Sequence, residues 1–174
     1  MTCLIRKIET LDIARLIEIE KSATQAFLNV PKLAWLADSS LLSIDDHVQL
    51  ISKVYGFVSV NPENQVTGFL YAEKHGQDLY IIELDVDGTL QKQGIGRKLL
   101  GHIIDFARKH DFSSVTLTTF NDVIWNRPFY EKLGFQKLHD DHLPDYLQKK
   151  IESEVECGFA RESRCAMTLD VLSI

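Results

Sequence analysis

The chain has 174 residues with 19 basic and 25 acidic side chains, a net charge of −6. That length suits one domain with a full core, and that charge lacks the basic footprint of general nucleic-acid binding. Hydrophobic residues at 45% and charged residues at 25% exclude a disordered, collagen-like or coiled-coil chain.

No apolar run approaches the roughly 20 residues of a membrane span. Met1 to Lys7 carries no leader-like apolar core. A single cytoplasmic domain over residues 1–174, with no membrane association, is expected. Residues 3–8 read as a first strand. Asp12 is placed to cap a helix whose apolar positions are Ile13, Leu16, Ile17 and Ile19. Residues 32–53 read as helical in pieces, with Ser43 or Asp45 as a cap. Val54 to Val60, Gln65 to Glu73 and Leu79 to Val86 read as strands. The turns Asn61-Pro62-Glu63-Asn64 and His75-Gly76 between them predict antiparallel hairpins.

Then the pattern changes. Gly94 to His110 is a long amphipathic helix with Leu99, Leu100, Ile103, Ile104 and Ala107 inward. A strand follows at Val115 to Thr119, and then a short helix at Trp125 to Leu133 that Gly134 ends. Phe135 to Leu138 reads as a strand, 143–156 as a helix and Arg164 to Leu172 as a last strand. A meander followed by strand–helix–strand makes a mixed α/β sheet.

Cys3, Cys157 and Cys165 form no C-x-x-C pair; reduced thiols and no metal site are expected. The six histidines show no metal spacing either. Charge is unevenly spread. Residues 91–110 hold five basic side chains and one acid, a net of +4, which leaves −10 for the rest. An anion at the basic segment and a cationic substrate elsewhere fit that split; so does a solvated helix face.

Asp87 to Arg97 joins a strand to the long helix and contains Gly94 and Gly96. Glycines allow close backbone approach, and a helix N-terminus offers free N–H groups and positive dipole character. Together they suit a pyrophosphate. Gly96-Arg97-Lys98 does not complete a Walker loop. Leu99 occupies the third glycine position of a dinucleotide fingerprint, which sets a nucleotide-dependent reductase aside. Gln91, Gly94 and Gly96 match the pattern Q/R-x-x-G-x-G/A, and Trp125 to Phe135 ends in Tyr-Glu-Lys-Leu-Gly-Phe.

These two segments resemble the GNAT N-acetyltransferase superfamily, and the order of elements agrees over residues ~5–172. The resemblance departs at Gly88, where the family often has proline. It departs again at Pro128, and in the short spacing from Asn126 to Tyr130.

What the resemblance implies is a mixed, mostly antiparallel, splayed sheet flanked by helices. It implies acetyl-CoA as acyl donor, held by Gln91, Lys92, Gln93, Gly94, Ile95, Gly96 and Arg97. The backbones of Leu84 and Val86 would hold the pantetheine arm and polarise the carbonyl. Tyr130 would be the general acid, and Asn126 would bind pantetheine amides or cap its helix. Glu83 is the first candidate base, although strand alternation turns it away from Leu84 and Val86 unless a bulge re-aims it. Glu20 is a second candidate base or an ammonium ligand, and His47 a third. Phe27, Trp35 and Tyr146 are candidate aromatic walls for an acceptor.

The expected function is acetyl transfer to a primary amine of a small cationic molecule, by direct attack in a ternary complex, with no metal. The alternatives are a protein or peptide N-terminal acetyltransferase and a non-catalytic acyl-CoA-binding module. A monomer or homodimer is expected.

Overall fold

The computed structural model describes residues 3–39 and 41–172. Seven strands form one mostly antiparallel sheet in the order β1-β2-β3-β4-β5-β7-β6. The described residues fall into two compact units. One lies within Met1–Glu73 and Ile82–Ile103, the other within Lys74–Ile81 and Ile104–Ile174.

In the first unit β1 (Leu4–Lys7) runs antiparallel to β2 (Tyr55–Val60), and β2 runs antiparallel to β3 (Val66–His75). The predicted turn closes the second hairpin. Asn64 takes a left-handed φ of 60°, and the Asn61 side chain accepts from Gln65 N at 2.8 Å. Asparagine tolerates both demands better than most residues. Helix α1 (Ile13–Thr24) buries Ile13, Leu16, Ile19, Glu20 and Ala23, a stripe at helical spacing into which one carboxylate intrudes. Leu16 and Ile19 join Ile8, Val58, Val60, Val66, Phe69 and Tyr71 in the core.

Asp12 does not cap α1. Arg6 takes its two oxygens at 2.7 and 2.9 Å, and Glu9 N donates to it at 2.8 Å. A bidentate guanidinium and a backbone donor occupy the carboxylate, which closes a 3-10 turn at Thr10–Asp12 ahead of the helix. The expected helical pieces become two 3-10 stretches, Gln25–Asn29 and Pro31–Asp38, and helix α2 (Ile44–Lys53). Ser43, and not Asp45, caps α2: its hydroxyl accepts from Asp46 N at 3.1 Å while Asp46 accepts from Ser43 N at 2.8 Å.

Strand β4 (Asp78–Val86) and helix α3 (Ile95–Lys109) follow. Leu99, Leu100, Ile103 and Ala107 are buried as predicted, while Ile104 is only half-buried.

In the second unit, Asp78 to Ile81 of β4 pair in parallel with Ser114 to Leu117 of β5 (Ser114–Phe120). β5 pairs antiparallel with β7 (Arg164–Asp170) along its whole length. Helix α4 (Arg127–Glu131) is shorter than expected, starting only at the residue before Pro128. Gly134 ends it at φ 94°, and Phe135 N donates to Tyr130 O at 3.2 Å. That closure turns Phe135 into the core, so β6 keeps only Gln136–Lys137.

Helix α5 (Asp145–Glu156) buries Leu147 and Ile151. Several polar groups of this unit pair with one another. Asp78 accepts from Ser114 Oγ at 2.7 Å and from Tyr146 Oη at 2.9 Å. Tyr146 also meets Thr116 at 2.8 Å and stacks on His75 at 4.3 Å. Arg164 donates twice to Glu154, at 2.8 and 2.7 Å, and lies over the Phe120 ring.

Candidate active site

The glycine loop hangs on a carboxylate that sequence reasoning did not single out. Asp87 is buried. It accepts from Arg15 of α1 and from Thr89 N and Oγ1 at 2.9 and 2.7 Å. Ser22 Oγ, also on α1, accepts from Gly88 N at 2.9 Å. Arg15 further donates to Val66 O at 3.2 Å. The guanidinium and the Thr89 donors hold Asp87 below the usual carboxylate range despite its burial. The Asp-Gly pair was the available signal, since such pairs close side-chain-supported turns.

Beyond this anchor the chain turns sharply. Gln91 Nε2 donates to Val86 O at 3.4 Å. Lys92 and Gly94 take left-handed φ values of 62° and 83°. Alternating hand of this kind curls backbone N–H groups toward one concavity, the geometry that accepts an anion. A Cβ at Gly94 would meet nothing within 4 Å, so the loop faces open space there. Lys92, Gln93 and Arg97 are exposed and Gly96 is half-buried. Ile95 is buried, so only its backbone is available to a ligand. The seven predicted loop residues are thus together at the start of α3, in a geometry that can accept an anion.

Glu83, Leu84, Asp85 and Val86 form the end of β4, beyond the residues that pair with β5. Alternation puts Glu83 and Asp85 on one face and Leu84 and Val86 on the other. Glu83 and Asp85 share a hydrogen bond, and both are half-buried. Burial, Asp85 and Glu20 together drive the Glu83 carboxyl well above its ordinary range. Burial and Glu20 push Asp85 up to about 7. Asp85 is a second acid of raised proton affinity that sequence reasoning did not single out, although the alternation that isolated Glu83 already grouped the two.

Glu20 belongs to the same cluster. Its Oε1 accepts from Leu42 N at 3.1 Å. Its Oε2 lies 3.8 Å from His47 Nε2. Neither of those two atoms has a hydrogen-bond partner, and both are sealed from solvent. His47 Nδ1 meets Tyr71 Oη at 3.0 Å. The Tyr71 phenol is pushed upward by burial and by the Glu83, Asp12 and Glu20 carboxylates, so it stays protonated. The structure therefore brings the three base candidates Glu83, Glu20 and His47 into one electrostatic neighbourhood.

In the second unit Tyr130 is half-buried, its ring set edgewise to Phe129 and Phe135 at 5.2 and 5.7 Å. Asn126 does not cap α4 through its side chain. Its Nδ2 donates to Thr119 Oγ1 at 3.1 Å, while its Oδ1 is buried without a partner. That acceptor fits an amide N–H.

Phe27 is half-buried, and Trp35 and Trp125 are exposed. Tyr146 is committed to Asp78, Thr116 and His75. That burial within a satisfied network removes it from the expected acceptor wall. The three thiols are unpaired, and burial pushes the Cys165 thiol upward. Among the described residues no group of three or more His, Cys, Asp or Glu could hold a metal ion. No helix among them is long and apolar enough to cross a membrane.

Residues 12–135 match the model of the acetyltransferase (GNAT) family. The probable N-acetyltransferase camello of Xenopus laevis is 33% identical over 85 residues, 49% of this chain and 35% of that protein. The chain covers from 26% to 58% of the length of the leading curated relatives it matches. The PaiA N-acetyltransferase of Thermoplasma acidophilum, solved in complex with coenzyme A, superposes with a TM-score of 0.72 at 16% identity. The superposition covers 98% of this chain and 99% of that one. The ribosomal-protein-S18-alanine N-acetyltransferase of Escherichia coli gives 0.70 at 20% identity, over 98% and 94%. These likenesses establish the fold.

Proposed function

Because the chain belongs to the acetyltransferase (GNAT) family, we propose that it transfers the acetyl group of acetyl-CoA to a primary amine of a small cationic acceptor, by direct attack in a ternary complex. One observation carries this reading. A single compact unit holds both an anion-accepting glycine loop and, on α1 and β4, a face lined by Glu20, Glu83 and Asp85. The loop suits the donor's phosphates, and the acid face suits an ammonium.

The loop backbone from Gln91 to Gly96, with Lys92 and Arg97, binds the diphosphate at the start of α3. The N–H groups of Leu84 and Val86 take the pantetheine arm and donate to the acetyl oxygen as charge grows on it. Glu83 removes a proton from the acceptor ammonium; its raised proton affinity makes it a stronger base than an ordinary carboxylate. The freed amine bonds to the acetyl carbon, the C–S bond breaks, and the departing CoA thiolate takes up a proton from solvent. No covalent acyl-enzyme is required.

Melting the protein with excess acetyl-CoA, CoA or NADPH is the direct test. A ligand at about a hundred times its dissociation constant stabilises by roughly 2.7 kcal/mol, a shift of several degrees. The CoA ligands alone should produce it, and Gly94→Val should abolish it by putting a strained side chain at φ 83°. Thiol release with a panel of amines and a peptide bearing a free N-terminus then reads the transfer. Release with the peptide alone would overturn the small-acceptor assignment.

A further inference from the structure

Asp87 is a buried acid of the first unit that the acyl-transfer steps leave unused. It begins the loop that joins β4 to α3. Gln91 Nε2 donates back to Val86 O at 3.4 Å, so Asp87 stands at the neck of a loop whose backbone accepts an anion. A carboxylate there opposes that use, since like charges repel most where water is excluded. Arg15 of α1 answers it with a charge-assisted hydrogen bond. Arg15 Nε also donates to Val66 O at 3.2 Å, which fixes the guanidinium to β3.

Close packing shows how narrowly the neck is placed. The register of β2 with β3 passes from Ser59 opposite Gly68 to Val60 opposite Val66, so Thr67 is an extra residue on β3, a bulge. Its hydroxyl turns back to Ser59 O at 3.0 Å, while Thr67 O accepts from Asp87 N at 3.0 Å. On the side of α1, Gly88 N donates to Ser22 Oγ at 2.9 Å, and a Cβ at Gly88 would lie 2.8 Å from Ser22 O. A Cβ at Gly68 would lie 2.8 Å from Asp85 O and 3.3 Å from the Ile95 side chain. The neck and the first residue of α3 therefore rest on α1 and β3 at distances a β-carbon would not allow. The Arg15–Asp87 contact joins two side chains, so substitution removes it and leaves the backbone contacts of the neck in place.

We propose that Arg15 and Asp87 are positioning residues for the acyl donor: Asp87 sets the neck by accepting from Thr89 N and Oγ1, and Arg15 cancels its charge and ties it to α1 and β3, so that the loop is preformed for a diphosphate. This rests on the acetyl-CoA reading and adds to it two side chains that act through the loop backbone. The two depend on each other unequally. Without Arg15 a buried carboxylate stands uncompensated at the neck. Asp87→Asn keeps an oxygen for Thr89 N and needs no cation. A pair that served the fold alone would change the melting temperature and leave donor affinity, measured below the melt, as it was.

The experiment measures CoA binding by calorimetry, well below the melting temperatures, for the unaltered protein, Arg15→Gln, Asp87→Asn and the double variant. Thiol release with an amine from the panel above runs alongside. Arg15→Gln should raise the Kd for CoA and the KM for acetyl-CoA by about 30-fold and Asp87→Asn by less than about 5-fold, within the range of coupling between contacting groups. The double variant should bind within about 3-fold of Asp87→Asn, because removing the acid restores what losing the cation took away. The changes should appear in KM, with kcat at saturating acetyl-CoA moving by less than about 3-fold, since the pair acts on donor binding and not on bond-making.

An equal Kd in all four proteins makes the pair structural and overturns the proposal, while CoA stands as the donor. A double variant that binds as weakly as Arg15→Gln overturns it too, since the exposed charge of Asp87 would then not be the cause. Absence of CoA binding by the unaltered protein overturns the acetyl-CoA reading and the proposal with it. Should Arg15→Gln fail to fold, Asp87→Ala decides. It holds no uncompensated acid and gives up the Thr89 contacts, so it should raise the Kd about 10-fold above that of Asp87→Asn; equal values overturn the proposal.

Discussion

The two units treat their charged side chains differently. In the second, Asp78, Thr116, Tyr146, Glu154 and Arg164 satisfy one another through hydrogen bonds of 2.7 to 2.9 Å. In the first, Glu20, Glu83 and Asp85 crowd three carboxyls together, and the unpartnered buried atoms are a carboxylate oxygen of Glu20 and Nε2 of His47, where in the second they are the neutral amide oxygens of Asn121 and Asn126. A satisfied network adds rigidity and a unique arrangement. An incomplete one is maintained at a cost, and such costs gather where a protein needs altered proton affinities. The contrast teaches which polar residues hold the fold and which are kept for chemistry.

Substitutions can break that contrast or sharpen it. The largest effect is expected from Glu83→Gln. Steady-state thiol release should show kcat/KM lower by about 10²- to 10³-fold, the usual worth of a placed base, with no fall in melting temperature, since one of three crowded acids has gone. A protein that melted much earlier would place Glu83 with the structural groups instead. Arg164→Ala should do the reverse. It leaves Glu154 without its bidentate partner and should cost roughly 3 kcal/mol, about 10 °C in melting temperature for a chain of this size. Turnover per folded molecule should be nearly unchanged.

The smallest effect concerns Asp85. Its carboxyl is raised in the folded state to about 7 from an ordinary 3.8. Below 3.8 it is protonated whether the chain is folded or not, and the folded state bears no penalty. As pH rises through about 7 the folded protein must ionise a buried acid, and that stability is lost. Melting temperature should therefore fall between about pH 4 and pH 7, and Asp85→Asn should flatten the decline by a few degrees. An Asp85→Asn protein with the same slope would move the titration to another group.

Local physics made much of this molecule readable. The glycine loop, α3 and the Gly134 stop depend on neighbours in sequence, and each stands where its pattern put it. The Asn61–Asn64 turn did the same for the second hairpin. Long-range contacts hid the rest. Nothing local shows that Arg6 claims Asp12, and so the expected cap became a turn of 3-10 helix. Glu20 reads as an exposed helix position until α1 is laid on the sheet, where it falls in the buried stripe. His47 is a base candidate by its region alone until Tyr71, on a strand farther along the chain, meets its Nδ1. Asp85 was within reach of the alternation rule, which was applied to Glu83 alone. Tyr146 was expected at an acceptor wall because aromatic type says little about what a hydroxyl will find.

Helix α1 gives the site a ruler. Arg15 and Ser22 hold the glycine loop through Asp87 and Gly88, and Glu20 lies between them on the same helix. The separation of Glu20 from the Arg15 anchor is set by helical rise, about 7.5 Å over five residues, and by no flexible segment. One residue inserted between Arg15 and Glu20 would turn the acid by about 100° relative to that anchor while leaving the identity of every side chain unchanged. The spacing along this one helix, as much as the identity of any group on it, therefore governs whether loop and acid act on the same molecule.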